Sequence, residues 1–454
     1  MLIVVTGSGV IACSIAEELM DRHEVVLVGP DIQSASRVAR LDVQLVTGLS
    51  SSVDVLHSAQ IERCDVFIAA SDNDETNLVA CIAARRLGAK RTISILANPG
   101  FLEMNEQDRG LAESLGLDAV VRPSVQLALE ILRIIRVSGA LDVEDFHHGR
   151  VRLVRHIVEK GSAAENVPVR DLPLPSDVVL VMGRHGDEAF IPNGDTVFRA
   201  GDKLTAIGTK RSTRKLVFDV LRAKSHGAEA HRATIVGGGD VGLRVALGLE
   251  HSGWEVKLIE TNLARCEYIA EKIQGLVLHG DGSDMDLLEE EAIGRAPVLI
   301  AVTNNDEKNL LVSLLGRHLG VDRIITRADR LANEKMFEKV GIDVVRSARG
   351  AAIRRVIREL IEVDNEVIAE LEHGEHEVVD LELPIQYPRV TINELRSKLF
   401  SIVGAIFRAN KVIIPKKDTE LLGGDHLLVF TSCEDASATR ELYLSPPVSN
   451  DQDR

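Results

Sequence analysis

Long apolar runs are missing from this chain. None approaches the ~20 residues needed to span a bilayer, and the amino terminus enters a strand at once, without the basic region that opens a secretory leader. The expectation is a chain soluble by itself, with no transmembrane segment of its own and a membrane partner left open. Cysteine is sparse: Cys13, Cys64, Cys81, Cys266 and Cys433 are scattered, with neither the spacing of a metal site nor a disulfide framework. That fits a reducing, cytoplasmic setting. Basic excess is missing as well. With 53 Lys and Arg against 69 Asp and Glu, the formal charge is −16, which argues against binding nucleic acid or an anionic membrane, because such surfaces are positive where they meet phosphate. The 45% hydrophobic content is ordinary, and 454 residues are too many for one core; about 150 residues per domain gives about three domains.

What is present is a repetition. Ile3-Val4-Val5-Thr6-Gly7-Ser8-Gly9-Val10-Ile11-Ala12 returns as Ile235-Val236-Gly237-Gly238-Gly239-Asp240-Val241-Gly242. Ser71-Asp72-Asn73-Asp74-Glu75-Thr76-Asn77 returns as Thr303-Asn304-Asn305-Asp306-Glu307-Lys308-Asn309, and Ile191-Pro192-Asn193-Gly194-Asp195-Thr196 as Ile414-Pro415-Lys416-Lys417-Asp418-Thr419. The offsets, 237 − 7 = 230, 303 − 71 = 232 and 415 − 192 = 223, are nearly constant and the order is kept. This is a tandem duplication of a two-part module. It corrects three domains to four: residues 1–140, 141–225, 230–362 and 363–445.

In the first part of each copy, short β-branched runs alternate with helical patterns. Strands are expected at Leu2–Thr6, Glu24–Val28, Val43–Val46, Asp65–Ala69, Thr92–Ile95 and Ala119–Val121, and a helix over Glu75–Leu87 is stopped by Gly88. Alternation of this kind, with glycines after the first strand, predicts an α/β fold with a Rossmann-like, doubly wound parallel sheet. The second copy repeats it from Ala233 to Arg346. An amphipathic helix follows each sheet, Val125–Val137 or Ala351–Ile361. Short strands come next, with turn signals at Pro173, Pro175, Asn193-Gly194 and Gly201-Asp202, or at Pro384, Pro388, Pro415 and Gly424-Asp425. That pattern reads as a small α+β C-terminal domain of roughly 80 residues. A linker is expected at Lys224–His231 and a disordered tail at Ser445–Arg454.

The chemistry lies in the glycine loops. In a strand, glycine turn, helix unit the first glycine makes the turn, the second lets a pyrophosphate approach the backbone, and the third lets helix pack on strand. The helix N-terminus supplies unbonded N–H groups and partial positive charge. The second copy has all three as Gly237, Gly239 and Gly242, within the segment Gly237, Gly238, Gly239, Asp240, Val241, Gly242; the first has Gly7, Ser8, Gly9, Val10, Ile11 and Ala12, with alanine at the third place. The acid ending the second strand reads a ribose. Aligning the copies puts Glu260 there opposite Gly29, with Asp31 two residues on as an imperfect substitute. Asp281, followed by Gly282, opposes Leu49, and Arg265 opposes Ser34. Three polar positions kept in one copy and lost from the other make the second site the competent one. Ser71, Asp72, Thr303 and Asn304 fall at the carboxyl edge of the sheet, where ligands bind. Helix capping is the competing role for Asp72, Asn73, Asn304 and Asn305.

Together these motifs resemble the domain that regulates potassium conductance (RCK or KTN). The tandem form is similar to the TrkA family of cytoplasmic regulatory subunits of bacterial Trk potassium uptake systems. The resemblance spans about residues 1–440 and rests on the paired glycine loops, Gly280-Asp281-Gly282-Ser283, the Asn-Asp-Glu segments and the two Ile-Pro-x-x-Asp-Thr segments with Gly201-Asp202 and Gly424-Asp425. It implies NAD(H), or ATP/ADP, held by Gly237, Gly239, Gly242, Glu260 and, at the adenine, Asp281, with no catalytic residue. It further implies a homo-oligomeric ring, a tetramer of tandem chains, peripheral on the inner face of the cell membrane beneath a potassium-conducting Trk subunit. Gly29, Leu49 and Ser34 depart from the family pattern, which weakens the case for the first copy.

Two other readings compete. A potassium efflux or cation/proton antiport system would differ mainly in the membrane partner. An NAD-dependent oxidoreductase would need an acid or base at the nicotinamide; His185 and His426 lie in turns or at a strand start, without the usual companions. Arg349, Arg354, Arg355 and Arg358 have two readings, a nucleotide or partner contact and a solvated face with i,i+4 partners such as Glu362. Ile131, Leu132, Ile135, Ile353, Val356 and Ile357 are expected either in a core or between lobes.

Overall fold

A computed structural model of the chain describes all residues except 31–37, 99–111, 113–114, 138, 148, 187, 222–230, 365–366, 372–375, 396–398, 410 and 446–454. Asp31, Ser34, most of the expected linker and nearly all of the expected tail therefore lie outside the described residues. In the first copy, β1 (Leu2–Thr6), β2 (Glu24–Gly29), β3 (Gln44–Thr47), β4 (Val66–Ala69), β5 (Arg91–Ile95) and β6 (Ala119–Val121) form one sheet in the order β3-β2-β1-β4-β5-β6. Every pairing is parallel. This is the doubly wound order, with its switch point between β1 and β4. Five strands follow: β7 (Ala140–Phe146), β8 (Val151–Ile157), β9 (Val178–His185), β10 (Glu188–Phe190) and β11 (Lys203–Gly208). They make an antiparallel sheet in the order β10-β9-β11-β8-β7.

The second copy repeats both. Its parallel sheet contains β12 (Arg232–Val236), β13 (Glu255–Glu260), β14 (Leu276–His279), β15 (Val298–Ala301), β16 (Arg323–Arg327) and β17 (Val344–Arg346), in the order β14-β13-β12-β15-β16-β17. Its antiparallel sheet contains β18 (Val367–Leu371), β19 (His376–Glu382), β21 (Ser401–Arg408), β22 (Lys411–Ile413) and β24 (His426–Ser432), while β20 (Val390–Thr391) pairs with β23 (Glu420–Leu421). Each helix starts earlier than the apolar pattern indicates: Asp74–Leu87 and Ala348–Asp364 are longer than expected, and Pro123–Ile135 is shifted two residues toward the amino terminus. Polar and proline residues fit a first turn, where N–H groups have no intrahelical partner.

The chain divides into two compact units, each drawing on both copies. One contains the two parallel sheets. Its first sheet carries the helix Val10–Leu19 on one face, through Ala12, Ile15, Ala16 and Leu19, and the same core takes in Ala352, Val356 and Leu360 from the helix Ala348–Asp364, with Ile353 and Ile357 at its margin. A helix of the second copy thus completes the core of the first. The two expectations for Ile353, Val356 and Ile357, core and lobe contact, are both met by this one arrangement. Cys64 and Cys81 are core residues too; burial pushes their thiols up to about 12, so they pack and do not react.

The other unit contains the two antiparallel sheets, packed through Phe146, Leu153, Met182 and Ile207 from one copy and Val378, Ala405, Leu428 and Phe430 from the other. Gly404 is required there, because a Cβ would lie 2.6 Å from Ile207 Cδ1. The repeated turn motifs are structural. Thr196 Oγ1 accepts from the Asn193 amide at 2.9 Å, and Thr419 Oγ1 from the Lys416 amide at 2.8 Å. Asp202 and Asp425 likewise each accept an amide three residues upstream, from Arg199 and Leu422.

Leu360 is 3% exposed in the first core, so Leu360→Ala should destabilise that core by about 2–5 kcal/mol. Urea unfolding followed by hydrogen exchange in β1 and β4 checks this; unchanged protection of those strands would contradict the shared core.

Candidate nucleotide site at the sheet edges

The carboxyl edge of each parallel sheet is built around its glycine turn. Gly7 and Gly237 have φ of +118° and +108°, a region costly for any side chain. A Cβ would also lie 2.7 Å from the Ala70 carbonyl oxygen or 2.9 Å from the Thr303 nitrogen. Each turn is tied to the neighbouring strand, the Gly7 amide to the Val28 carbonyl at 2.8 Å and the Gly237 amide to the Ile259 carbonyl at 2.9 Å. The helices Val10–Leu19 and Asp240–Glu250 then begin behind Gly9 and Gly239, neither of which is capped by a side chain. At the third place, a Cβ on Gly242 would come within 1.9 Å of the Gly237 carbonyl oxygen. Gly282 holds the next turn, since a Cβ there would sit 2.2 Å from Val236.

The second copy brings Glu260, Arg265 and the glycine loop together. Glu260 Oε2 accepts from the Gly238 amide at 2.7 Å, and Oε1 from the Asn262 amide at 2.9 Å and the Thr261 hydroxyl at 3.2 Å. Arg265 Nε donates to the Gly238 carbonyl at 2.7 Å. Burial by itself would raise the Glu260 carboxyl, but the amides of Asn262 and Gly238 and the Thr261 hydroxyl outweigh it and hold the group below its ordinary value. Glu260 is therefore an ionised acceptor at neutral pH, fixed against the loop. Asp281 accepts from Lys308 Nζ at 2.8 Å and from the Ser283 amide and hydroxyl at 2.9 and 2.7 Å.

The Asn-Asp-Glu segments separate by residue. Asn73 and Asn305 cap their helices, accepting from the Thr76 and Lys308 amides at 2.7 and 2.6 Å. Asn77 and Asn309 bind back to Ser71 and Thr303, and Asp74 and Asp306 latch the loop after the next strand through its amides. Asp72 and Asn304, also considered as caps, do not serve in that role. Asn304 Oδ1 accepts from Arg327 Nη1 at 2.7 Å. Asp72 instead lies over its own glycine loop, its carboxylate 3.1 Å from where a Cβ of Gly9 would be, whereas the same point on Gly239 is open.

Arg327 and the role of Lys308 were missed in the sequence, although the comparison that singled out Glu260 would have found them: the first copy has Thr76 and Ile95 there, at the same offset of 232 (308 − 76, 327 − 95). Gly29 and Leu49 stand where the second copy has Glu260 and Asp281, and Leu49 is 63% exposed. The second edge thus carries Glu260, Asp281, Arg265, Lys308 and Arg327; at the matching described positions of the first edge the side chains are neutral. A cavity of about 680 Å³ opens elsewhere, by the amino ends of β12, β13 and β14 around Trp254, Glu250 and Arg295, and includes none of the expected ligand residues. Arg354 bonds Glu130 of the other copy, and Arg355 bonds Glu359 as an i,i+4 partner on its own helix.

Asp281 is held at about 2, first by Lys308 and then by Ser283. A depressed carboxyl contributes stability that is present above its unfolded pKa of about 4 and is lost as pH falls toward 2. Lys308→Met should therefore raise the Asp281 pKa toward the ordinary carboxylate value. Carboxyl carbon NMR reads this directly, and a value still near 2 would show that Lys308 is not the cause.

The comparisons with known proteins agree with this architecture. The TrkA-N domain model matches residues 3–123 and 233–348, and the TrkA-C domain model matches 153–217 and 389–443. A Trk system potassium uptake protein TrkA homolog of Archaeoglobus fulgidus is 33% identical over 449 residues, covering 98% of this chain and 100% of the relative. The Trk system potassium uptake protein TrkA of Halomonas elongata is 29% identical, covering 95% of each. Among solved structures, a GsuK channel bound to NAD aligns over 97% of this chain and 78% of its own, with a TM-score of 0.60 at 21% identity. The GsuK RCK domain aligns over 97% and 94%, with a TM-score of 0.60. The chain belongs to the TrkA family, with a TrkA-N and a TrkA-C domain in each of its two copies.

Proposed function

We propose that this chain is a non-catalytic regulatory subunit of a potassium uptake system, which binds NAD(H), or ATP/ADP, at the carboxyl edge of the second parallel sheet. The observation that carries the reading is the asymmetry of the two edges. The second has a glycine loop open at Gly239, an ionised acid against it and three cations, of which Lys308 and Arg327 are paired with Asp281 and Asp329; the first has a carboxylate, Asp72, over Gly9. A diphosphate is favoured by unbonded helix N–H groups and cations and disfavoured by a carboxylate. In this reading Gly237, Gly238, Gly239, Asp240, Val241 and Gly242 cradle the phosphates, Glu260 takes a ribose hydroxyl, and Asp281, Gly282, Thr303 and Asn304 border the base. The matching first-copy residues, Gly7 to Ala12, Ser71 and Asp72, form the weaker site.

The relatives' names support the potassium system, and the GsuK channel bound to NAD supports this ligand class. No helix among the described residues is long and apolar enough to cross a membrane, so conduction belongs to a partner, a Trk membrane subunit on whose cytoplasmic side the chain assembles as a homo-oligomeric ring. Leu311 and Leu314 on the helix Asp306–His318, Met336 on Leu331–Lys339 and Val340 just after it are 42–49% exposed and offer apolar surface to another chain. Nucleotide regulates the partner to the extent that it binds one ring geometry better than another, typically by 1–3 kcal/mol.

Calorimetric titration of the full chain with NADH, NAD, ATP and ADP tests the site. A hydrogen bond to a charged group is worth about 1.5–3 kcal/mol, so Glu260→Ala should raise Kd about 10- to 100-fold, with Asp31→Ala having little effect. Equal losses in the two variants would reject the asymmetry, and steady turnover of NADH with a small substrate would reject the non-catalytic reading.

A further inference from the structure

The unit of two parallel sheets is held across its copies by two buried carboxylates, each bonded by a part-exposed arginine of the other copy. Glu130, 6% exposed on the helix Pro123–Ile135, accepts from Arg354 Nε at 2.9 Å and Nη2 at 2.6 Å, with Arg346 Nε at 4.0 Å. Glu359, 5% exposed on the helix Ala348–Asp364, accepts from Arg91 Nη2 at 2.5 Å and also from Arg355. The duplication shows what each of these positions is in the other copy. Gly116 and Gly341 share a positive φ, and Asp118 and Asp343 both accept the first amides of the preceding strand, from Thr92 and Ile324. The local offset is therefore 341 − 116 = 343 − 118 = 225. At that offset Leu129 corresponds to Arg354, Val121 to Arg346, Glu130 to Arg355 and Ile134 to Glu359.

The Glu130–Arg354 pair consequently fits one combination of copies, whereas Arg91 corresponds to Arg323 at the strand offset of 232, so a second copy would still offer Glu359 a cation. If a first copy met another first copy in this geometry, Glu130 would face Leu129 and Val121 where it now has two arginines, and Arg91 would face Ile134. A buried carboxylate would lose the arginines that the other copy supplies, which is far more costly than never having the pair. If a second copy met another second copy, Arg354 would face Arg355 where it now has Glu130. Like charges at one contact disfavour the wrong partner.

We propose that these residues set partner choice between the parallel-sheet domains: a first copy accepts only a second copy, and Glu130 with Arg354 is the principal discriminator. A neighbouring chain in a ring offers both kinds of domain, so without such a rule the domains could pair within chains, between like copies, or in mixtures. The rule reduces the choice to a first copy with a second copy.

The test uses full-length chains. Glu130→Arg and Arg354→Glu should each lower the folding equilibrium constant of this unit about 100-fold or more, and the double reversal within one chain should recover most of it. Failure of the double variant to outperform either single one would overturn the proposal; so would a Glu130→Gln chain as stable as the parent. A purely structural ion pair would pass that far, so the second measurement reads partner choice. Chains carrying Glu130→Arg and chains carrying Arg354→Glu, co-expressed with tags of different mass, each supply the copy the other lacks. Native mass spectrometry should show assemblies with equal numbers of the two chains, above the random proportions given by two wild-type tags. Random proportions would overturn the rule.

Discussion

The structure depends on one burial constraint: the first parallel sheet does not close its own core. Ala352, Val356 and Leu360 come from a helix more than two hundred residues further along the chain and lie among Ile3, Val5 and Ile68. A fully buried aliphatic side chain is worth about 1.5–3 kcal/mol, so removing that helix would expose a hydrophobic face that a small domain cannot spare. Duplication is therefore more than two modules in series. The copies share a core, and whatever changes their relation is felt at β1 and the glycine loop that follows it.

Shared burial gives adhesion but little direction, since apolar contact is non-directional. Direction comes from the few charges inside the junction. Glu130 on Arg354 and Glu359 on Arg91 are bonded at fixed geometry, and a misplaced buried charge is penalised more than a correct one is rewarded. The same division of labour appears at the sheet edges. Glycines create the space, and charges stand around it, Glu260, Arg265, Lys308 and Arg327 in one copy and Asp72 in the other.

Much of this was legible from residue order. The strands and the doubly wound order follow from alternation and glycine placement, and mismatches between copies, Glu260 against Gly29 and Asp281 against Leu49, marked the two edges as chemically different. Less legible were roles carried by side-chain direction. Asp72 and Asn304 sit beside true caps in the sequence, yet Asn73 and Asn305 do the capping, because an N-cap must accept from an amide three residues on. Arg327 and the role of Lys308 escaped notice because neither residue belongs to a glycine-loop pattern, although each reaches the edge from a neighbouring helix or strand.

The sequence by itself determined the duplication, the alternation of strand and helix, and the glycine turns, because each is enforced by local geometry and by a periodicity repeated along the chain. Tertiary structure alone decided which copy supplies which helix to which core, and that Arg354 meets the buried Glu130 and Arg91 the buried Glu359. These outcomes depend on contacts between residues separated by 224 to 268 positions, and no local pattern records a distance that only folding brings down to a hydrogen bond.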